Sequence, residues 1–186
     1  EGGFVVAADG YFAALREWCT ANGIVFVADE IQSGMARTGK YFAIEHFGVV
    51  PDMVLSAKGI AGGLPIAGVT GRSEIMDASH PGGLGGTFAG NPVAAAAAIA
   101  VFDEIESKNL LAEGARIEAV LKPALLALQE RYPVIGDVRG IGAMIAIELV
   151  EPGTHTPNAA AVSTITAFAA QHGVLLLSAG TYGNII

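Results

Sequence analysis

Residues 11–22 (YFAALREWCTAN) bring Phe12, Leu15 and Cys19, with Tyr11 and Trp18 at the margins, onto one stripe at helical spacing, and Gly23 stands where such a helix stops. The pattern predicts an amphipathic helix. The next run, IVFVADE (24–30), is short, β-branched and aromatic and ends in charge, which predicts a strand covered on both faces. DMVLSAK (52–58) and PIAGVTG (65–71) have the same texture. Strand and helix signals alternate and strict period-two runs are few, so the first half predicts α/β structure around a mostly parallel sheet.

GGLGGTFAG (82–90) is a glycine-rich loop, after which Asn91 can cap and Pro92 can open a helix predicted to reach about Glu106. A further helix is predicted over roughly 110–131. Pro123 should kink or restart it, because proline lacks the N–H and clashes with the preceding turn. Beyond Tyr132-Pro133, VIGDVRG (134–140) and AMIAIELV (143–150) read as two strands joined at Gly140-Ile141-Gly142. A polar loop (151–158), a helix (159–172) and a strand VLLLS (174–178) follow. That half is α+β in pattern, which puts a boundary near 107–115 and divides the chain into parts 1–110 and 111–186. No repeat of fixed period occurs, and the alanines of 94–98 are ordinary helix packing residues.

Composition removes whole classes. With 52% hydrophobic and 15% charged residues and a mean hydropathy of +0.52, the 186 residues are the reverse of a disordered composition. The longest apolar run, Pro92 to Phe102, is far shorter than the roughly 20 residues that cross a bilayer, so no membrane partner is expected. A net charge of −8 argues against nucleic acid, whose phosphates call for clustered Lys and Arg. A lone Cys19 cannot make an internal disulfide and no basic leader precedes an apolar core, which points to the cytoplasm. The abrupt opening at Glu1-Gly2-Gly3 leads us to expect an internal segment of a longer polypeptide.

Two strand ends carry candidate chemistry. Asp29 closes the 24–30 run, and ligands of open parallel sheets bind outside the carboxyl ends of strands; an aspartate there by itself more often caps a loop or helix. Lys58 ends the 52–58 run among Ser56, Ala57 and Gly59. Such small and apolar neighbours would desolvate its ammonium and favour an uncharged amine able to attack a carbonyl, although a solitary lysine is usually a surface residue. The pairing changes the odds. A lysine and a carboxylate at the ends of two strands of one sheet are what pyridoxal phosphate needs: an amine to hold its aldehyde as a Schiff base, and a charge to keep its ring nitrogen protonated.

DEIQSG (29–34), ARTGK (36–40), PDMVLSAKGIAGGLPIAGVTGR (51–72), GGLGGTFAGNP (82–92) and DVRGIGAMIAIEL (137–149), in that order, resemble the class III aminotransferases. Among these the likeness is nearest to the bacterial 4-aminobutyrate enzymes. It implies the second part of a fold-type I large domain, built on a mainly parallel sheet, followed by part of a smaller α+β C-terminal domain. It also implies that Asp29 pairs with the pyridine nitrogen of pyridoxal 5'-phosphate, that Gln32 approaches the ring hydroxyl and that Lys58 forms the Schiff base. Thr87 would reach the cofactor phosphate of the neighbouring subunit of a homodimer; without the resemblance it would read as a loop threonine capping its own backbone. Glu1 would pair with and release a substrate-binding arginine whose place is immediately after Ile186.

The resemblance further implies transamination of an ω-amino acid to a semialdehyde, with 2-oxoglutarate taking the amine. An acetylornithine or ornithine aminotransferase is the runner-up. A catalytically inactive fragment or interaction module is the reading from a different class, suggested by the apolar composition and by the parts of the family pattern that lie outside the chain.

Other signals are weaker. Gly140-Ile141-Gly142 is followed by a strand pattern where a dinucleotide fingerprint needs a helix. His46, His80, His155 and His172 lack metal-ligand spacing, so no metal is expected. Arg37 and Arg72 could meet a phosphate or carboxylate but read as surface-paired loop residues.

Overall fold

In the computed structural model, which describes residues 2–186, the stripe at 11–22 forms helix α1 (Tyr11–Ala21), stopped by Gly23 with a left-handed φ of 62°. Phe12 and Leu15 pack on a buried cluster of Cys19, Phe26, Ala28 and Ile44, and the Phe12 ring meets Phe47 edge-on at 4.7 Å. Complete burial of a side chain such as Phe26 contributes about 1.5–3 kcal/mol.

That cluster covers one face of a three-stranded sheet, ordered β1 (Val27–Asp29), β2 (Met53–Ser56) and β3 (Gly68–Gly71). β1 and β2 are parallel, with Asp29 opposite Leu55. The β2–β3 pair is antiparallel, the one antiparallel pairing in this sheet among the described residues, in a fold expected to be mostly rather than wholly parallel. Only residues 57–67 separate the two, too few for the crossover that a parallel pair requires. β1 is also shorter than the 24–30 run and is not covered on both faces. Ala28 is buried, whereas Val27 on the opposite face is 41% exposed. A short helix α2 (Ser73–Met76) and a long one, α3 (Pro92–Ser107), follow; Asn91 caps α3 by accepting from the N–H groups of Val93 and Ala94.

Asp52 ties this unit together. Its buried carboxylate accepts from Arg16 of α1 at 2.6 Å, from the Phe26 N–H at 2.8 Å and from Arg72, just past β3, at 3.2 Å. The Arg16 hydrogen bond, followed by that from Phe26, holds the Asp52 carboxyl down at about 2. A carboxylate whose folded value lies below its unfolded one stabilises the fold above the unfolded value, and that contribution disappears as pH falls through the folded value. The urea midpoint is therefore expected to fall between about pH 4 and pH 2, with Asp52→Asn lowering the midpoint near neutrality and flattening the acid-side fall. An Asp52→Asn profile parallel to that of the wild type would contradict this role.

Helix α4 (Leu110–Arg131) runs unbroken, so Pro123 does not restart it. By internal packing the chain divides between Gly114 and Ala115, within α4, and the segment through Val6 belongs with the C-terminal unit. That unit holds the hairpin β4 (Ile135–Ile141) and β5 (Met144–Leu149), then helix α5 (Ala159–Gln171). Its core is Ile135, Val138, Leu149 and Val162.

The G-x-G at 140–142 serves this hairpin. A Cβ at Gly140, where φ is 134°, would lie 2.0 Å from the Met144 carbonyl oxygen. Residues 184–186 take the outer edge of β5: Ile186 exchanges backbone hydrogen bonds with Ile147, and the buried Asn184 donates its side-chain amide to the Leu149 carbonyl. The strand expected at 174–178 does not form. The edge of β5 is held by residues 184–186, and Leu175 and Leu177 are 86% and 83% exposed. Among the described residues no helix is long and apolar enough to cross a membrane.

Candidate active site

The parallel register of β1 and β2 sets their carboxyl ends side by side. Asp29 is the last residue of β1, and Lys58 opens a tight 3-10 turn (Lys58–Ala61) two residues beyond β2. Lys58 adopts a left-handed φ of 51°, a conformation that L residues keep only where the surroundings enforce it and that concentrates at functional positions. Its amine donates a hydrogen bond to Oε1 of Gln32, so the structure brings these two sequence-predicted residues together. Asp29 is exposed. Its Oδ1 accepts the Ile31 N–H at 3.1 Å, and Oδ2 has no hydrogen-bond partner among the described residues.

A pocket of about 540 Å³ opens at this turn, lined by Lys58, Gly59, Arg37 and the segment from Gly62 to Ile66. The apolar enclosure expected around Lys58 is not observed: the residue is exposed. Its small neighbours Ala57 and Gly59 leave the side chain uncovered. Arg37 faces this pocket, whereas Arg72 takes the ion-pair role expected of a loop arginine, with Asp52 and with Glu74.

Thr87 lies exposed in the 82–90 loop ahead of α3, and no hydrogen bond joins it to Asp29, Gln32 or Lys58. Glu1 lies outside the described residues. The residue that sequence reasoning passed over is Glu30, whose side chain is buried directly beside the exposed Asp29. The signal for it was present. Successive side chains of a strand point to opposite faces, so only one carboxylate of the Asp29-Glu30 pair could face outward.

Comparison with known proteins places this geometry in a family. The family model of the class-III aminotransferases matches residues 1–186. The 5-aminovalerate aminotransferase of Pseudomonas putida is 52% identical over 186 residues, which are all of this chain and 44% of the relative. The 4-aminobutyrate aminotransferase of Mycobacterium leprae is 53% identical over 186 residues, 42% of its length. The chain thus spans less than half the length of the curated relatives it matches. Among solved structures, an amine transaminase from an uncultivated Pseudomonas species in its pyridoxal phosphate-bound form superposes with a TM-score of 0.90 at 38% identity, covering 99% of this chain and 44% of that one. The motifs, the fold and the match over every residue agree: the chain belongs to the class-III aminotransferases, a pyridoxal phosphate-dependent family.

Proposed function

We propose that the full-length protein transfers the amino group of an unbranched ω-amino acid of the 4-aminobutyrate type to a 2-oxo acid such as 2-oxoglutarate, leaving a semialdehyde. What carries this reading is the Lys58–Gln32 pair beside Asp29 at the ends of two parallel strands, in a chain whose relatives are named for 4-aminobutyrate and 5-aminovalerate. Both of those compounds hold a terminal amine at a distance from a carboxylate along an unbranched chain.

The donor set fits pyridoxal phosphate. Lys58 offers a primary amine at an open pocket, and Asp29 offers a carboxylate with one oxygen already anchored and the other open. When bound, the cofactor supplies a reactive carbonyl and a protonated ring that draws electrons from the carbon bearing the transferred amine. Oδ2 of Asp29 would accept the ring N–H, and its negative charge favours the protonated ring nitrogen. Lys58 Nζ would hold the cofactor at rest and, during turnover, take the proton from the amine-bearing carbon. Gln32 orients that nitrogen through Oε1. Holding the base in register supplies rate by positioning.

The remaining assignments belong to the assembled protein. Thr87 would offer its hydroxyl to the phosphate in the partner subunit of a homodimer, and Glu1 would act near the substrate carboxylate. The setting is cytoplasmic.

The test compares donors. With 2-oxoglutarate as acceptor, the full-length protein is expected to show kcat/KM for 4-aminobutyrate and 5-aminovalerate at least about tenfold above that for N-acetylornithine or ornithine. The reverse order would move the assignment to the acetylornithine and ornithine enzymes. The 186-residue chain alone is expected to be inactive in the same assay.

A further inference from the structure

We infer that Glu30 is a positioning residue that presents Gln32 to Lys58, an assignment that rests on the proposed role of Lys58. Glu30 is 4% exposed, and its carboxylate accepts the Ser33 hydroxyl at 2.5 Å and the Ile44 N–H at 2.8 Å. Its backbone is engaged as well: its N–H donates to the Leu55 carbonyl of β2 at 2.9 Å, and its own carbonyl accepts the Gly34 N–H at 2.9 Å. One residue therefore joins the strand that leads to Lys58 with both ends of the short loop that carries Gln32.

The loop has little slack. A Cβ at Gly34 would lie 2.8 Å from the Glu30 carbonyl oxygen, so a side chain there forces the backbone apart. Met35 and Ala36 follow with left-handed φ values of 59° and 71°, and the Met35 N–H donates to the Tyr41 carbonyl at 2.7 Å. Such conformations persist in L residues only where surrounding contacts over-determine them. Met35 is buried, and a Cβ placed on Gly59 would lie 3.5 Å from the Met35 Cβ, so the loop also rests against the residue next to Lys58. Glu30 makes no direct contact with the Lys58 amine. Its effect passes through Gln32, which lies in the chain between Glu30 and Ser33, the residue whose hydroxyl Glu30 holds by hydrogen bond.

The experiment uses the full-length protein loaded with pyridoxal phosphate, and reads the pH midpoint at which the visible absorbance band of the lysine-bound cofactor changes, together with kcat. Glu30→Ala and Gln32→Ala are each expected to move the midpoint in the same direction and to lower kcat about tenfold, and the double variant is expected to go no further than Gln32→Ala alone, as for residues acting through one contact. Glu30→Gln, which can still accept from Ile44 and reach Ser33, is expected to restore both readouts. Additive shifts, or a midpoint in Glu30→Ala equal to that of the wild type, would overturn the assignment. Should Glu30→Ala fail to fold, Ser33→Ala carries the test: it opens one hydrogen bond, must move the midpoint the same way, and overturns the assignment if it does not. Absence of the band in the wild type would instead refute the role of Lys58.

Discussion

Lys58→Ala in the full-length protein is expected to lower turnover by about 10³-fold or more and to remove the visible absorbance of lysine-bound cofactor, since one amine serves both as anchor and as proton carrier. Lys58→Arg isolates these roles from charge. A guanidinium stays protonated at neutral pH and cannot replace an amine as nucleophile or base, so this variant should be as slow as Lys58→Ala while keeping the positive charge in the pocket. Both variants should fold, because Lys58 is exposed and its side chain supports no core cluster. Stopped-flow absorbance of the half-reaction with 4-aminobutyrate is the measurement. Turnover within about tenfold of the wild type would remove Lys58 from the mechanism.

Asp29→Asn should cost about 10²–10³-fold in kcat, the scale of removing one preorganised electrostatic group from a place where charge develops during the reaction. The substitution preserves shape, and an asparagine oxygen can still accept the Ile31 N–H, so the loop should survive. The negative charge that favours a protonated ring nitrogen is gone. Asp29→Glu keeps the charge on a longer arm and should recover part of the rate. The effect belongs to kcat, with little change in donor KM, because no donor atom is assigned to Asp29. Equal kcat in Asp29→Asn and wild type would place the aspartate among loop caps, as its bond to Ile31 would suggest if taken alone.

The helices are legible in the sequence for local reasons. The stripe of Phe12, Leu15 and Cys19, the stop at Gly23 and the Asn91-Pro92 start all act within a turn or two of chain, and α1 and α3 begin and end close to where those residues predict. Sheet pairing is decided at a distance, where local pattern is a poor guide. Nothing within PIAGVTG announces that β3 returns antiparallel; the length of the connection decides it. VLLLS has the composition of a strand, but residues 184–186 hold the edge of β5.

The site divides in the same way. Asp29, Gln32 and Lys58 could be named because strand ends are visible in the pattern and the spacing matches a family. Lys58 is exposed and has a left-handed φ, and neither is announced by a lysine among small and apolar neighbours. The buried polar residues Asp52 and Asn184 break the apolar pattern and look like surface until their partners are known: the guanidinium of Arg16 and the Leu149 backbone.

In the proposed reaction Lys58 is the amine that would hold the cofactor. Reduction of the full-length protein with borohydride in the presence of pyridoxal phosphate, followed by peptide mapping, tests it most directly. One label per chain on the peptide containing Ser56-Ala57-Lys58-Gly59, abolished when 4-aminobutyrate is added before reduction, is the predicted result. Label on another lysine, or scattered over several, with the Lys58 peptide unmodified, would contradict it.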